Sequence, residues 1–299
     1  MAVSKPYLET NSLKIGEGVE FGTNVSITAD SVEIGDRVLL RNDIRINCRG
    51  KLRIGHHSIL GSDARLQCNN LIIGSWLYSC DGLEIGSGGC NSKESDVTIG
   101  DRVGIFERVL INPNHKVSIG DNCGIGREVQ IWTHGAWLDP LAGFPSDFGP
   151  VSIGSNVWLP ARCVVLPNVL IGDNCVIGIN SIVNKSIPSG SFAAGCPAKI
   201  LKSDAYPLER SADEANMIIR GIVRDWETQI RFKRPSLNYS IRVINDKVIV
   251  LLAAGAETIF NCDLKTVSGE TTDVSEDFRD YLRRRGIKIY TDNFFESIK

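Results

Sequence analysis

Residues 151–183 read VSIGSNVWLPARCVVLPNVLIGDNCVIGINSIV, and the spacing of their aliphatic side chains decides the fold. Ile153, Leu159, Val165, Ile171, Ile177 and Val183 follow one another every six residues without a slip. Four residues after each of the first five comes a small side chain, at Val157, Cys163, Val169, Cys175 and Ser181. A period of six is neither the two-residue repeat of an ordinary strand nor the ~3.6 of a helix. One inward aliphatic per hexad suits a short flat strand followed by a tight corner. Three strands and three corners close a triangular coil, and stacked coils bury every aliphatic in one interior while their backbones pair with the coils above and below. The spacing therefore predicts a mainly-β solenoid, a parallel β-helix, with Cys123, Cys163 and Cys175 as core ladder positions.

The beat extends outward through a tetrad, aliphatic-x-Ile-Gly, at Leu13–Gly16, Val32–Gly35, Leu52–Gly55, Leu71–Gly74, Leu83–Gly86, Val97–Gly100, Val117–Gly120, Val151–Gly154 and Val169–Gly172. Ile15, Ile34, Ile54 and Ile73 are 19, 20 and 19 residues apart, three hexads and a little more per coil. Two places break it. A polar stretch, SGGCNSKES at 87–95, adds a loop, and Ile131 is followed in register only by Ile153, 22 residues on instead of 6. The excess of 16 residues is GAWLDPLAGFPSDFGP, 135–150. Loops on a rigid solenoid are where binding and chemistry tend to sit.

Composition excludes several classes. The chain has 299 residues, enough to bury a core without disulfide or metal staples. Its 33 Lys and Arg against 35 Asp and Glu leave a formal charge of -2, no electrostatic reason to expect nucleic acid or an anionic membrane as partner. The longest nearly apolar run, Val248 to Ala256, has nine residues where a membrane span needs roughly 20. The opening Met1-Ala2-Val3-Ser4-Lys5 does not read as a signal peptide. Nine cysteines without a CxxC pair indicate reduced thiols, so a soluble cytoplasmic protein with no metal is expected. Only His56, His57, His115 and His134 are available as a base.

Three ordered blocks, PVSIGSNVWLP at 150–160, IGDNCVIGINSIVNKSIP at 171–188 and GCPAK at 195–199, resemble the galactoside, maltose and nodulation-type sugar O-acetyltransferases of the hexapeptide-repeat acyltransferase family. The likeness covers residues 97–203 well and 13–96 as fold. It implies a left-handed coil, acetyl-CoA as acyl donor, and a homotrimer with active sites at subunit interfaces. The family's general base lies just before the Pro of the first block, and here His134 precedes Pro150 by 16 residues. A sugar hydroxyl is a poor nucleophile at neutral pH, so attack on a thioester needs a base in hydrogen-bond reach. Carried over by position, coenzyme contacts fall on Trp158, Ala161, Ile179, Asn184 and Lys185, with Lys199 and Lys202 toward the phosphates.

Departures from the family pattern are Leu159-Pro160 in place of Ile-Gly and Ile179-Asn180 in place of Ala-Gly, which point to a shifted pantetheine arm or a different acyl length. The family's acceptor-contacting Asn has no counterpart in the stretch Ile105, Phe106, Glu107, Arg108. Glu107, Asp139 and Asp147 are candidates to orient His134 or a sugar hydroxyl. Trp132, Trp137, Phe144 and Phe148 could stack on a sugar ring or be buried against another subunit. His115 reads as a corner residue with a hydrogen-bonded ring, and His56 and His57 as surface residues.

The reading that follows is transfer of an acetyl group to a sugar or glycan hydroxyl in surface polysaccharide or glycoconjugate assembly. Alternatives are amino-sugar N-acetylation, a zinc hydratase, for which only two of three required His lie in the right region, and a non-catalytic trimeric scaffold. Domain boundaries are expected at 1–203 for the solenoid, with its insert at 135–150, and 204–299 for an appendage of unknown role. In the appendage, 208–232 is helical in spacing, Tyr239–Ala253 a hairpin around Asn245-Asp246, Thr258–Leu264 a strand, Ser275–Arg285 a helix stopped at Gly286, and Lys288–Tyr290 a last strand. Arg283, Arg284 and Arg285 complement that helix's C-terminal dipole.

Overall fold

The six-residue beat becomes three parallel sheets. The computed structural model describes residues 5–86, 88, 90, 92–244 and 247–298, so Met1–Ser4, residues 87, 89 and 91, Asn245-Asp246, about which the hairpin was expected to turn, and Lys299 lie outside the described residues. Each coil passes through a first face (Val117–Ile119, Val151–Ile153), a second (Gly124–Ile125, Trp158–Leu159) and a third (Gln130–Trp132, Val164–Val165). These faces belong to sheets of eight, ten and nine strands.

Register keeps like over like. Ile119 pairs with Ile153 and Ile153 with Ile171; Ile125 pairs with Leu159; Ile131 pairs with Val165 and Val165 with Val183. All of these side chains are buried, as are Cys123, Cys163 and Cys175, so the thiols are core ladder positions. Burial pushes the Cys163 and Cys175 thiols above their ordinary range, which keeps them un-ionised.

Corners turn through one residue at positive φ. Asn122, Asn156 and Asn174 take the left-handed conformation at the first corner, and Glu128, Arg162 and Asn180 at the second. At the first corner the tetrad glycine allows coils to approach closely: a Cβ on Gly120 would meet the carbonyl carbon of Gly154 at 2.7 Å. Beside it, a ladder of side chains takes the amides that the turning backbone leaves over. Asp101 N donates to Asp121 Oδ1 (2.8 Å), Asp121 N to Ser155 Oγ (3.0 Å), Ser155 N to Asp173 Oδ1 (2.7 Å) and Asp173 N to Ser189 Oγ (3.0 Å). The second face ends in a hairpin, where Phe192–Gly195 pairs antiparallel with Ala198–Lys202.

The chain divides into two compact units, Met1–Pro207 and Leu208–Lys299. The second holds helix α1 (Ala212–Lys233), a four-stranded antiparallel sheet (Tyr239–Val243, Val248–Ala253, Ala256–Asn261, Thr266–Gly269) and helix α2 (Asp273–Arg284). Ser211 and Glu214 form a capping box that starts α1. Trp226, Phe260, Phe278 and Tyr281 centre a core of its own. Two details correct the sequence reading. Thr266–Gly269 is a fourth strand, paired along Ala256–Asn261. Lys288–Tyr290 is not a strand, because Ile289 is buried and its carbonyl accepts from the guanidinium of buried Arg279 at 3.1 Å instead of entering a ladder.

Candidate active site

Both breaks in the repeat leave the solenoid at its third corner, between third and first faces. The polar loop follows strand Glu84–Ile85, and the 16-residue excursion follows Gln130–Trp132. Between them lies the short corner after Leu110–Asn112, which carries His115. The excursion is a hairpin: His134–Ala136 pairs antiparallel with Ser146–Phe148, His134 opposite Phe148 and Gly135 opposite Asp147. Asn168 Nδ2 donates to the Phe148 carbonyl (3.1 Å) and ties the returning strand to the next coil.

His134 sits at the root of this hairpin. Its half-buried ring stacks on Phe148, with centroids 5.7 Å apart and planes 25° from parallel, and its Nδ1 is buried with no hydrogen-bond partner among the described residues. Thr133, wholly buried, locks the corner beneath it: its Oγ1 donates to the Asn112 carbonyl (2.8 Å) and accepts from His115 N (3.0 Å), and its carbonyl accepts from Gly149 N (2.9 Å). His115 Nδ1 lies 2.5 Å from Glu94 Oε2, and its ring meets the same Phe148 edge-on at 6.2 Å. A hydrogen-bonded corner ring is what the sequence led us to expect of His115. Thr133 and Glu94 were not singled out, since a buried threonine and a loop carboxylate carry no spacing signal.

The other residues fall into separate groups. Asp147 is exposed on the returning strand, whereas Asp139 accepts from Leu141 N (2.8 Å) and is occupied as the cap of a single helical turn, Pro140–Ala142. Trp132 Nε1 donates to Gln130 Oε1 (3.0 Å), and Trp137 is 95 % exposed on the arm with Phe144 and Phe148 also exposed. Glu107 stands at the second corner, near the Cys80 thiol, and does not share a corner with His134.

Ala161 and Ile179 also lie at the second corner, where the Ala161 carbonyl accepts from Asn180 N (3.0 Å) and the Ile179 side chain is exposed. Trp158 projects outward from the second face between Gly124 and Val176. Asn184 and Lys185 are exposed at the third corner, and Lys199 and Lys202 on the closing hairpin. Beside Ala161, Arg108, Arg127 and Arg162 surround Glu128, and hydrogen bonds from Arg108 and Arg162 hold its carboxyl down at about 2. This cluster, three cations to one anion, was not anticipated from the sequence because its members come from separate coils. Among the described residues no group of three or more His, Cys, Asp or Glu could hold a metal ion, and no helix is long and apolar enough to cross a membrane.

Comparison with known proteins agrees with this architecture. Residues 150–185 match the bacterial transferase hexapeptide family (six repeats), and residues 12–47 the hexapeptide repeat of succinyl-transferase. Galactoside O-acetyltransferase of Escherichia coli (strain K12) is 35 % identical over 113 residues, covering 37 % of this chain and 56 % of the relative. The chain thus spans about half the length of the curated relatives it matches. A hexapeptide-repeat-containing acetyltransferase of Vibrio cholerae O1 biovar eltor, solved with acetyl coenzyme A, is 26 % identical with a TM-score of 0.36, over 51 % of this chain and 70 % of that one. UDP-N-acetylglucosamine acyltransferase from Campylobacter jejuni shares the fold, with a TM-score of 0.50 and 17 % identity over 78 % of this chain and 82 % of that one. Both matched segments lie on coils of the solenoid, and over part of its length the chain is similar to the hexapeptide-repeat, left-handed β-helix acetyltransferases, related to the sugar and glycan O-acetyltransferases.

Proposed function

We propose that this protein is an acetyl-CoA-dependent O-acetyltransferase that modifies a sugar or glycan hydroxyl in surface polysaccharide or glycoconjugate assembly, as a cytoplasmic homotrimer. The observation that carries the reading is His134: a half-buried imidazole stacked at the root of the 16-residue excursion from the solenoid. The related galactoside O-acetyltransferase supports the substrate class. His134 takes the proton of the acceptor hydroxyl as its oxygen attacks the thioester carbonyl. The C–S bond breaks, and the imidazolium returns the proton to the departing thiolate. No covalent acyl-enzyme is formed.

His134 and Lys185 stand at the third corner and Ala161 and Ile179 at the second, separated by a face of about six residues, roughly 20 Å of extended chain. One chain does not bring base and coenzyme groove together. A second copy setting its second corner against this third corner would, and this is the arrangement proposed for sites at trimer interfaces. There the Arg108, Arg127 and Arg162 cluster, with Lys199 and Lys202, supplies positive charge to the coenzyme phosphates. Trp132 and Asp147 border the acceptor side.

His134→Ala is expected to lower kcat by about 10²- to 10⁴-fold with unchanged acetyl-CoA affinity. Thiol release measured over a sugar panel checks this, and undiminished turnover would remove His134 from the mechanism. Lys199→Glu is expected to weaken acetyl-CoA binding in calorimetry without loss of fold; equal affinity in the two proteins would refute the phosphate assignment.

A further inference from the structure

The polar loop and the excursion rise from one corner on either side of His115, and that imidazole is gripped by both. Glu94 of the first loop approaches its Nδ1 to 2.5 Å, while Phe148 of the second meets its ring at 6.2 Å and 74°. Its backbone N–H donates to buried Thr133 Oγ1 at 3.0 Å. A carboxylate on Nδ1 keeps the proton of the neutral ring at that nitrogen and presents the lone pair of Nε2 outward. His134 is the contrasting case: it stacks against the same phenyl ring at 5.7 Å, and its Nδ1 has no hydrogen-bond partner among the described residues. Two imidazoles therefore meet Phe148, and of the two it is His115 whose Nδ1 faces a carboxylate.

We propose that His115, oriented by Glu94, is the acceptor-recognition residue: its Nε2 accepts a hydrogen bond from one hydroxyl of the sugar and so determines which neighbouring hydroxyl is presented to His134. The inference rests on the acetyltransferase reading above. No bond is made or broken at His115, and the hydroxyl it holds keeps its proton. The division of labour follows from the geometry. An imidazole held at Nδ1 by a carboxylate and packed against a phenyl ring is fixed in orientation, with Nε2 placed to accept from a hydroxyl.

The test is steady-state thiol release from acetyl-CoA by the full chain with methyl β-galactoside, maltose and N-acetylneuraminic acid, comparing wild type, His115→Ala, His115→Gln and Glu94→Gln, with acetyl-CoA binding followed by calorimetry. For the sugar that wild type uses, His115→Ala should raise acceptor KM about ten- to thirtyfold with a smaller change in kcat, and acetyl-CoA affinity should be retained. Gln, whose amide oxygen can stand where Nε2 accepts, should recover part of the loss, and Glu94→Gln should shift KM in the same direction by less. Glu94 is well exposed, so its variant separates a lost contact from a lost fold. Unchanged KM in His115→Ala would reduce the pair to a surface ion contact and overturn the proposal while the acetyltransferase reading stands. A collapse of kcat with unchanged KM would make His115 the base, which also overturns it. Absence of acetyl-CoA binding and of turnover in wild type would overturn both.

Discussion

At Gly126 the absence of a side chain is a contact requirement. A Cβ there would meet the Pro160 carbonyl carbon at 2.5 Å and Ala161 N at 2.6 Å, both backbone atoms that have nowhere to go. Gly135, in the excursion, has nothing within 4 Å of the same position. Gly126→Ala should therefore destabilise the solenoid by about 1–3 kcal/mol, whereas Gly135→Ala should stay within about 0.5 kcal/mol. Calorimetric Tm values for the two proteins decide the matter; equal values would mean that the coils separate without strain. The residue scale is also where the sequence was most and least informative. His134 stood out because it precedes a measurable break in the beat. Glu94 did not, because its partner is 21 positions along the chain and its loop has no period that would show where the side chain lands.

At the scale of the element, each short strand is held by its neighbours in the coils on either side and by one inward aliphatic. Ile125 is fully buried between the ladders above and below, whereas Leu170, next to Ile171 in the first face, points outward and is about half exposed. Ile125→Ala should cost about 2–5 kcal/mol and Leu170→Ala under about 1 kcal/mol, read from urea midpoints. A similar cost for both would show that the strand does not discriminate inside from outside. The hexad made these identities legible in advance, since alternation across a strand sends neighbouring side chains to opposite faces. The fourth strand of the second unit was not legible, since Thr266–Gly269 is too short and too polar to announce itself and exists by pairing with Ala256–Asn261.

On the scale of the whole molecule there are two units with separate cores, one held by stacked coils and the other by a sheet and two helices. The second contains a charge device that gives it its own pH response. Burial alone would raise the Asp280 carboxyl, but hydrogen bonding from Ser297 and the cations Arg283 (2.8 Å) and Arg284 (3.1 Å) outweigh it and hold it below its ordinary 3.8. A carboxyl lowered in the folded state contributes stability that is complete above its unfolded pKa and is lost as pH falls through the folded one. Asp280→Asn should thus unfold at lower urea than wild type at pH 7, with the two midpoints converging below about pH 4. Parallel curves down to pH 3 would show that Asp280 is not the group responsible.

The sequence by itself determined the solenoid, its inward ladder and the places where the beat is interrupted, because a strict period of six leaves only one way to bury an aliphatic in every hexad. Only the tertiary structure decided what the interruptions do. It placed both loops on one corner, set Glu94 against His115, brought Phe148 against two imidazoles, and sent Ala161, Glu107 and the arginine cluster to another corner. These are contacts between segments that stand outside the repeat or come from different coils. Their partners are chosen by loop closure and stacking, which no interval along the chain encodes.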